Sequence, residues 1–318
     1  MTKIKIKTPS RIHITLIDLN GSIGRVDGGI GFALKNPYIE IVCEDFDWIE
    51  VEGGINRDRF ERVATNLRNL FGKGLKVNVL KDYEAHVGLG SGTQISLAVA
   101  KAFNDIYNLG LSVRELAEIT GRGGTSGIGV AVFESGGFVL DGGHSLKEKP
   151  YFLPSSASKA KPPKVLARYE LPDWYIVVAI PRLKGMHGKR EINVFEKYCP
   201  IPIEEVKTLC HIILMKLLPS VVEKDLDSFC ESLKTIQYLG FKKIEIDQYG
   251  RIIWNLIENT DFAIGMSSMG PAVYSVTDTN AKDILKYFEE YFDERNIDYN
   301  TYISKPNNSG AEIRVRNI

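Results

Sequence analysis

Residues 86–107 hold the chain's clearest chemical pattern: Gly88, Gly90 and Gly92 alternate with Leu89, Ser91 and Thr93, and Gln94 follows. From Thr93 onward the apolar residues Ile95, Val99, Ala102, Phe103 and Ile106 recur at helical spacing, with one face toward a core. Glycine lets the backbone take positive φ and bring N–H groups close to a ligand, and Ser91 and Thr93 are candidate helix caps. A helix start with free N–H groups and a positive dipole end is an anion site, with phosphate as its usual guest. The same residues could form a tight, unliganded turn. Three alternating glycines and two hydroxyls set the phosphate reading level with it.

Other candidates lie elsewhere. Arg25 and Asp27 stand among Gly24, Gly28, Gly29 and Gly31; an Asp-Gly hairpin turn needs one glycine rather than four, so this segment is expected to be a functional loop. Residues 3–17 alternate with period two, as two strands or one long bent one. If Ile12, Ile14 and Leu16 face a core, Arg11, His13 and Thr15 share the other face, which is either solvent or a cleft wall; Asp18 then opens a turn. Asp141 and His144 sit between Gly-Gly pairs, as a turn or as a site. Residues 182–190 gather Arg182, Lys184, His187, Lys189 and Arg190 around two glycines, as a mobile anion-binding loop or a solvated basic one.

The composition bounds the partners. Forty Lys plus Arg balance forty Asp plus Glu, so there is no global field for nucleic acid and any anionic substrate must meet local positive charge. The 44% hydrophobic and 25% charged fractions are those of a globular chain. No apolar run approaches the ~20 residues of a membrane span, and the basic, alternating start reads as a first strand rather than a leader; the expected location is the cytoplasm. The four cysteines show no C-x-x-C pair, which argues against a zinc site or a disulfide framework; they are expected reduced, mostly in the core.

The elements that position these residues follow from periodicity. Helices are expected at 57–71, 93–107, 112–120 (with a capping box at Ser112 and Glu115), 202–218, 222–239, 248–258 and 280–293. Strands are expected at 38–43, 47–51, 75–80, 138–141, 174–180, 299–304 and 311–316, with a strand–turn–strand at 262–276. A second Gly-rich loop, 121–129, feeds a small-residue helix. Residues 145–173, rich in Ser and Pro, are the best linker, so two domains are expected, 1–165 and 166–318. The second half reads as α+β.

With these motifs in place the chain resembles the GHMP small-molecule kinase superfamily. Its Gly-Leu-Gly-Ser-Ser-Ala signature stands here as residues 88–93, and its later Gly-Thr-x-Ser-Gly-x-Asp segment as residues 124–129, with Gly129 where many members hold a catalytic Asp. Glycine cannot orient or deprotonate a hydroxyl, so the architecture looks kept and the kinase chemistry lost. A third, late Gly-rich turn is echoed at 265–270. More specifically, residues 10–18, 24–31 and 133–144 resemble the β-ribofuranosylaminobenzene 5′-phosphate synthases, an archaeal branch of that superfamily. The resemblance implies an α+β fold (an α/β sandwich), with an N-terminal domain of ribosomal-S5-like topology and a ferredoxin-like C-terminal domain.

It also implies a pentosyltransferase of methanopterin biosynthesis. Such an enzyme joins phosphoribosyl pyrophosphate to 4-aminobenzoate or 4-hydroxybenzoate and releases pyrophosphate and CO₂, with Mg²⁺, without pyridoxal phosphate, and as a homodimer. On that basis Asp18, Arg25 and Asp27 are the expected catalytic residues, with Asp18 or Asp27 on Mg²⁺. The expected substrate contacts are Arg11, His13, Gly28, Gly29, Gly88, Gly90, Ser91, Gly92, Thr93, Gln94, Asp141, His144, Lys184, His187, Lys189 and Arg190. Two other readings stay open: an ATP-dependent kinase with a substitute base, and a non-catalytic protein that binds a phosphoribosyl ligand.

Overall fold

The structure, a computed structural model, describes residues 2–155, 157–185 and 188–317. In chain order its first part comprises β1 (Thr2–Asp18), β2 (Arg25–Glu44), β3 (Ile49–Glu52), α1 (Arg57–Phe71), β4 (Leu75–Lys81), α2 (Ser91–Ile106), α3 (Val113–Ile119), α4 (Ile128–Ser135), β5 (Phe138–Asp141), β6 (His144–Ser145) and β7 (Val165–Tyr169). The second part comprises β8 (Tyr175–Pro181), α5 (Lys189–Tyr198), α6 (Ile203–Ile212), a π turn over Ile213–Leu217, α7 (Leu218–Glu223), α8 (Leu226–Ile236), α9 (Gly240–Asp247), α10 (Arg251–Glu258), β9 (Ile264–Met266), β10 (Val273–Thr277), α11 (Ala281–Asp293), β11 (Tyr299–Ser304) and β12 (Glu312–Asn317).

Two sheets result. The larger runs β12-β1-β2-β4-β3, with β5 and β6 pairing with β2 and β7 with β5. The smaller is antiparallel in the order β11-β8-β10-β9. Numbered within that unit the order is 4-1-3-2, the ferredoxin-like arrangement. The sheets do not part at residue 165: β7 pairs with β5, and β12 returns to pair with β1, so residues on both sides of the expected boundary build the first sheet. That extra strand is five residues long and largely exposed, a pattern too short to stand out from sequence.

The period-two stretch at the start is one bent strand. β1 pairs with β2 from Lys3 to Asp18, with register shifts between Thr8 and Ser10 and between His13 and Thr15. Those irregularities turn the second half of the strand, so that His13 and Thr15, opposite the core face, are buried as well. The segment expected as a Gly-rich loop at 24–31 is instead the start of β2. A Cβ on Gly31 would lie 2.2 Å from the Ile12 carbonyl oxygen, so glycine here permits strand contact.

An aromatic cluster joins the two sheets. Phe32 meets Tyr274 edge-on with centroids 5.8 Å apart, and Trp174 packs on Phe229 at 5.2 Å. Rings of this size dominate core burial. The Ser112–Glu115 capping box forms as expected. Of the cysteines, Cys43 is in the core whereas Cys210 is exposed. No described helix is long and apolar enough to cross a membrane.

Candidate functional site

The Gly-rich stretch lies where the two sheets meet. Gly90 (φ +78°) precedes α2, no side chain caps the helix, and its first turn has no acidic residue. Ser91 and Thr93, expected as caps, therefore leave the positive end of the dipole open to a ligand. Gly88 is at φ +89°, and a Cβ there would lie 2.3 Å from the Ser267 carbonyl oxygen. Ser267 Oγ donates to the Gly88 carbonyl oxygen (2.7 Å) and accepts from the His13 N–H (3.0 Å), and the Ser268 N–H donates to the His13 carbonyl oxygen (2.9 Å). The late Gly-rich turn thus locks β1 and the loop together.

A cleft of about 190 Å³ opens on this loop, bounded by Gly88, Gly90, Ser91, Gly92 and Thr93 and by Arg11, Arg59 and Arg122. Arg11 Nη1 donates to the Gly88 carbonyl oxygen at 2.7 Å. Burial draws its pKa down to about 10, against Tyr83, Glu245 and Glu191. Arg122 is likewise lowered, by burial and then by Arg59 and Arg62; Arg59 is lowered by burial and Arg62. Three guanidinium groups gathered at a helix N-terminus, against the single carboxylate of Glu191 in the same lining, suit an anionic ligand. The start of α5 reaches the same cleft through Gly188 and Glu191. Lys184, Lys189 and Arg190 are exposed and outside its lining, and His187 lies outside the described residues.

An inner chamber of about 50 Å³ adjoins the cleft and shares Arg11 and Glu191 with it. Its walls include His13, Thr125, Ser126 and Glu245, with Leu16, Phe195 and Met269 as apolar faces. His13 Nε2 lies 3.0 Å from Ser126 Oγ, which is 3.4 Å from Asp141 Oδ2. Burial, then Arg11 and Lys242, holds the His13 imidazole well below its usual range, so it is neutral. Asp141 accepts from the Gly127 and Gly143 N–H groups at 2.9 and 3.0 Å, yet burial pushes its carboxyl up to about 7. A Cβ on Gly29 would come within 2.7 Å of Ser126 Oγ and 2.8 Å of Asp141 Oδ2. Gly29 is thus required for the convergence of these side chains. Behind the chamber Glu245 pairs with buried Lys242; burial raises the carboxyl and lowers the ammonium, each opposed by the other.

The three residues expected to carry turnover line neither cavity. Asp18 Oδ1 accepts the N–H groups of Asn20 (2.8 Å) and Gly21 (3.0 Å) and so caps a turn. Arg25 donates to the Gly142 and Gly143 carbonyl oxygens at 2.6 and 3.1 Å, beside a separate surface cavity. Asp27 is fully buried between His144 Nδ1 (2.6 Å) and Lys149 Nζ (2.9 Å). Lys149 also donates to Thr125 Oγ1 and the Leu153 carbonyl oxygen, both at 2.8 Å. Burial alone would lower His144, but Asp27 and the Lys161 carbonyl raise it overall. Lys149 is lowered by burial against the pull of Asp27. His144 therefore belongs to this network, and Asp141 closes its own turn onto the Gly143 N–H. Gly28 packs against Ile17, and Gln94 Nε2 donates to the Gly129 carbonyl oxygen at 2.8 Å, tying α2 to α4.

Asp27 meets His144 and Lys149, and Asp18 Oδ1 meets two turn amides; no group of three or more His, Cys, Asp or Glu among the described residues is placed to hold a metal ion. Arg59, Arg122, Ser126 and Glu245 went unread in the sequence. Arg59 and Glu245 lie on ordinary amphipathic helices; Arg122 and Ser126 lay inside a Gly-rich segment that carried the available signal.

Comparisons with known proteins bear on the family and the fold. Residues 58–137 match the family model for the GHMP kinases N terminal domain. A β-ribofuranosylphenol 5′-phosphate synthase from Archaeoglobus fulgidus is 56% identical over 98% of this chain and 100% of its own length. One from Methanocaldococcus jannaschii is 45% identical over 97% and 99%. Among solved structures, a homoserine kinase from Cytophaga hutchinsonii superposes with a TM-score of 0.65 at 17% identity, over 98% of this chain and 97% of the other. The Streptococcus pneumoniae phosphomevalonate kinase does so with 0.68 at 13%, over 95% and 100%. The kinases share the fold; the near-full-length identity decides the branch. The chain belongs to the β-ribofuranosylphenol 5′-phosphate synthase family, a pentosyltransferase branch built on the GHMP kinase fold.

Proposed function

We propose that this protein condenses phosphoribosyl pyrophosphate with 4-hydroxybenzoate, giving β-ribofuranosylphenol 5′-phosphate, CO₂ and pyrophosphate, a step toward methanopterin; 4-aminobenzoate is the alternative arene. The observation that carries the reading is the cleft in which the open N-terminus of α2 faces Arg11, Arg59 and Arg122. Negative charge grows on pyrophosphate as the ribose C1–O bond breaks, and donors fixed beforehand stabilise it without reorganising. A ring carbon attacks C1, its carboxylate leaves as CO₂, and the ring regains aromaticity. Mg²⁺ belongs to the substrate here: it enters on the diphosphate, as this ion commonly does, with few protein ligands. A kinase reading is disfavoured by Gly129, which has no side chain to act as the base, and an added Cβ there would already press on Thr93 Cγ2 at 3.1 Å.

The test supplies the protein with Mg²⁺, phosphoribosyl pyrophosphate and carboxyl-labelled 4-hydroxybenzoate or 4-aminobenzoate in separate arms. Labelled CO₂ that requires both substrates supports the reading, and the faster arm names the arene. ADP formation from ATP with a small alcohol, without CO₂ release, would replace it with a kinase.

A further inference from the structure

The outer cleft gathers two of its cations over one glycine. A Cβ on Gly92 would lie 3.3 Å from Arg122 Nη1 and 3.5 Å from Arg59 Nη1. Arg59 comes from α1, and Arg122 from the turn that follows α3. Gly92 stands where the kinase signature has its second serine, and a side chain there would press on Arg122. Like charges at this spacing repel, and after burial Arg59 is the next cause that lowers the Arg122 pKa. Arg122 keeps its place over α2 only if another group holds it there.

That group is a hydroxyl in α2. Arg122 Nε donates to Ser96 Oγ at 2.9 Å, and Ser96 Oγ donates to the Gly92 carbonyl oxygen at 2.9 Å. A hydroxyl has one proton and two lone pairs, so both bonds form at once. Ser96 is buried and does not border the cleft. Alanine would fill the same position and suits a helix better, and a hydroxyl bonded back to the carbonyl four residues earlier slightly weakens the helix. What serine adds is an acceptor for Arg122, fixed on a rigid turn.

We propose that Ser96 is a positioning residue: the chain from the Gly92 carbonyl oxygen through Ser96 Oγ to Arg122 Nε holds the guanidinium beside Arg59 over the N-terminus of α2, where the pair receives the diphosphate of the substrate. This role rests on the diphosphate reading of the cleft given above. A guanidinium is planar, so fixing Nε orients both Nη groups. The Nε–H is spent on the protein, and Nη1 stays above Gly92, which lines the cleft. A donor placed beforehand need not be reoriented as charge grows on the leaving group. Ser96 touches no substrate and acts through Arg122.

The test titrates pyrophosphate with Mg²⁺ by calorimetry into wild type, Ser96→Ala, Arg122→Ala and the double variant. Ser96→Ala should keep the wild-type melting temperature, because alanine suits the helix. It should weaken pyrophosphate by about three- to tenfold, the worth of one hydrogen bond. In the Arg122→Ala background the same substitution should change the affinity by less than about twofold, because the group it acts through is gone. A purely structural serine would move both backgrounds alike. Equal weakening in the two backgrounds, or no weakening in the presence of Arg122, therefore overturns the assignment, as does wild type that does not bind pyrophosphate. Wild type that binds pyrophosphate but releases no labelled CO₂ from either arene overturns the activity instead, and the cycle still decides the role of Ser96.

Discussion

Two clusters in this molecule look alike in sequence and differ in kind. Asp27, His144 and Lys149 form a buried set in which each charge has its counter-charge and hydrogen bonds, down to Thr125 and the Leu153 and Lys161 carbonyls. Arg11, Arg59 and Arg122, with the open end of α2, form a set of like charges with an uncapped dipole and a cleft in front. The first is complete without a ligand; the second keeps an excess of positive charge over Glu191 on an open cleft and suits an anion. Both sit beside glycine-rich segments and both mix charge with backbone exposure. The useful signal for a site is an excess of one charge facing a cleft, which only the folded chain reveals.

The largest effect that separates them should be on stability. Asp27→Ala leaves Lys149 and His144 buried without their carboxylate, and breaking such a set costs about 3–5 kcal/mol. Urea unfolding should show that loss; a variant within about 1 kcal/mol of wild type would make Asp27 a site residue rather than scaffold. Next in size is a pH slope. Because the Asp141 carboxyl is raised from 3.8 to about 7 in the folded state, the unfolded chain gives up this proton first. The stability it contributes is complete below 3.8 and lost as pH rises to about 7. The total is at most a few kcal/mol, at roughly 1.4 kcal/mol per unit. Asp141→Asn should flatten that window in melts taken across it; an unchanged slope would assign it to other groups. The smallest effect is on binding. Arg122→Ala removes one charge-assisted contact to an anion, about 1.5–3 kcal/mol, and should weaken pyrophosphate in calorimetry by one to two orders of magnitude with little change in melting temperature. Unchanged pyrophosphate affinity would remove Arg122 from the site.

Much of the fold was legible in sequence. The helical spacing after Thr93, the Ser112–Glu115 box and the alternation at 75–80 each became the expected element, because local periodicity and capping agree with tertiary packing there. The loop at 88–93 was legible as an anion site for the same reason: its chemistry is local. The network around Asp27 was not legible because its partners are remote. Lys149 lies 122 residues from Asp27 and His144 lies 117, and no spacing rule connects them. The 24–31 segment misled in another way. Its glycines accommodate neighbours (Ile12, Ser126, Asp141) that sequence does not place beside them. His13 was legible only as a face of a strand; that its Nδ1 is buried without a partner among the described residues is a property of packing.

The location of the anion tests the account most directly. Amide resonances of isotopically labelled protein, followed as phosphoribosyl pyrophosphate is added with Mg²⁺, should move at Gly90, Ser91, Gly92 and Thr93 and remain in place at Arg25, Gly142 and Gly143. Shifts concentrated at Arg25, Gly142 and Gly143, with the start of α2 unmoved, would put the substrate in the other cavity and contradict the assignment of the cleft.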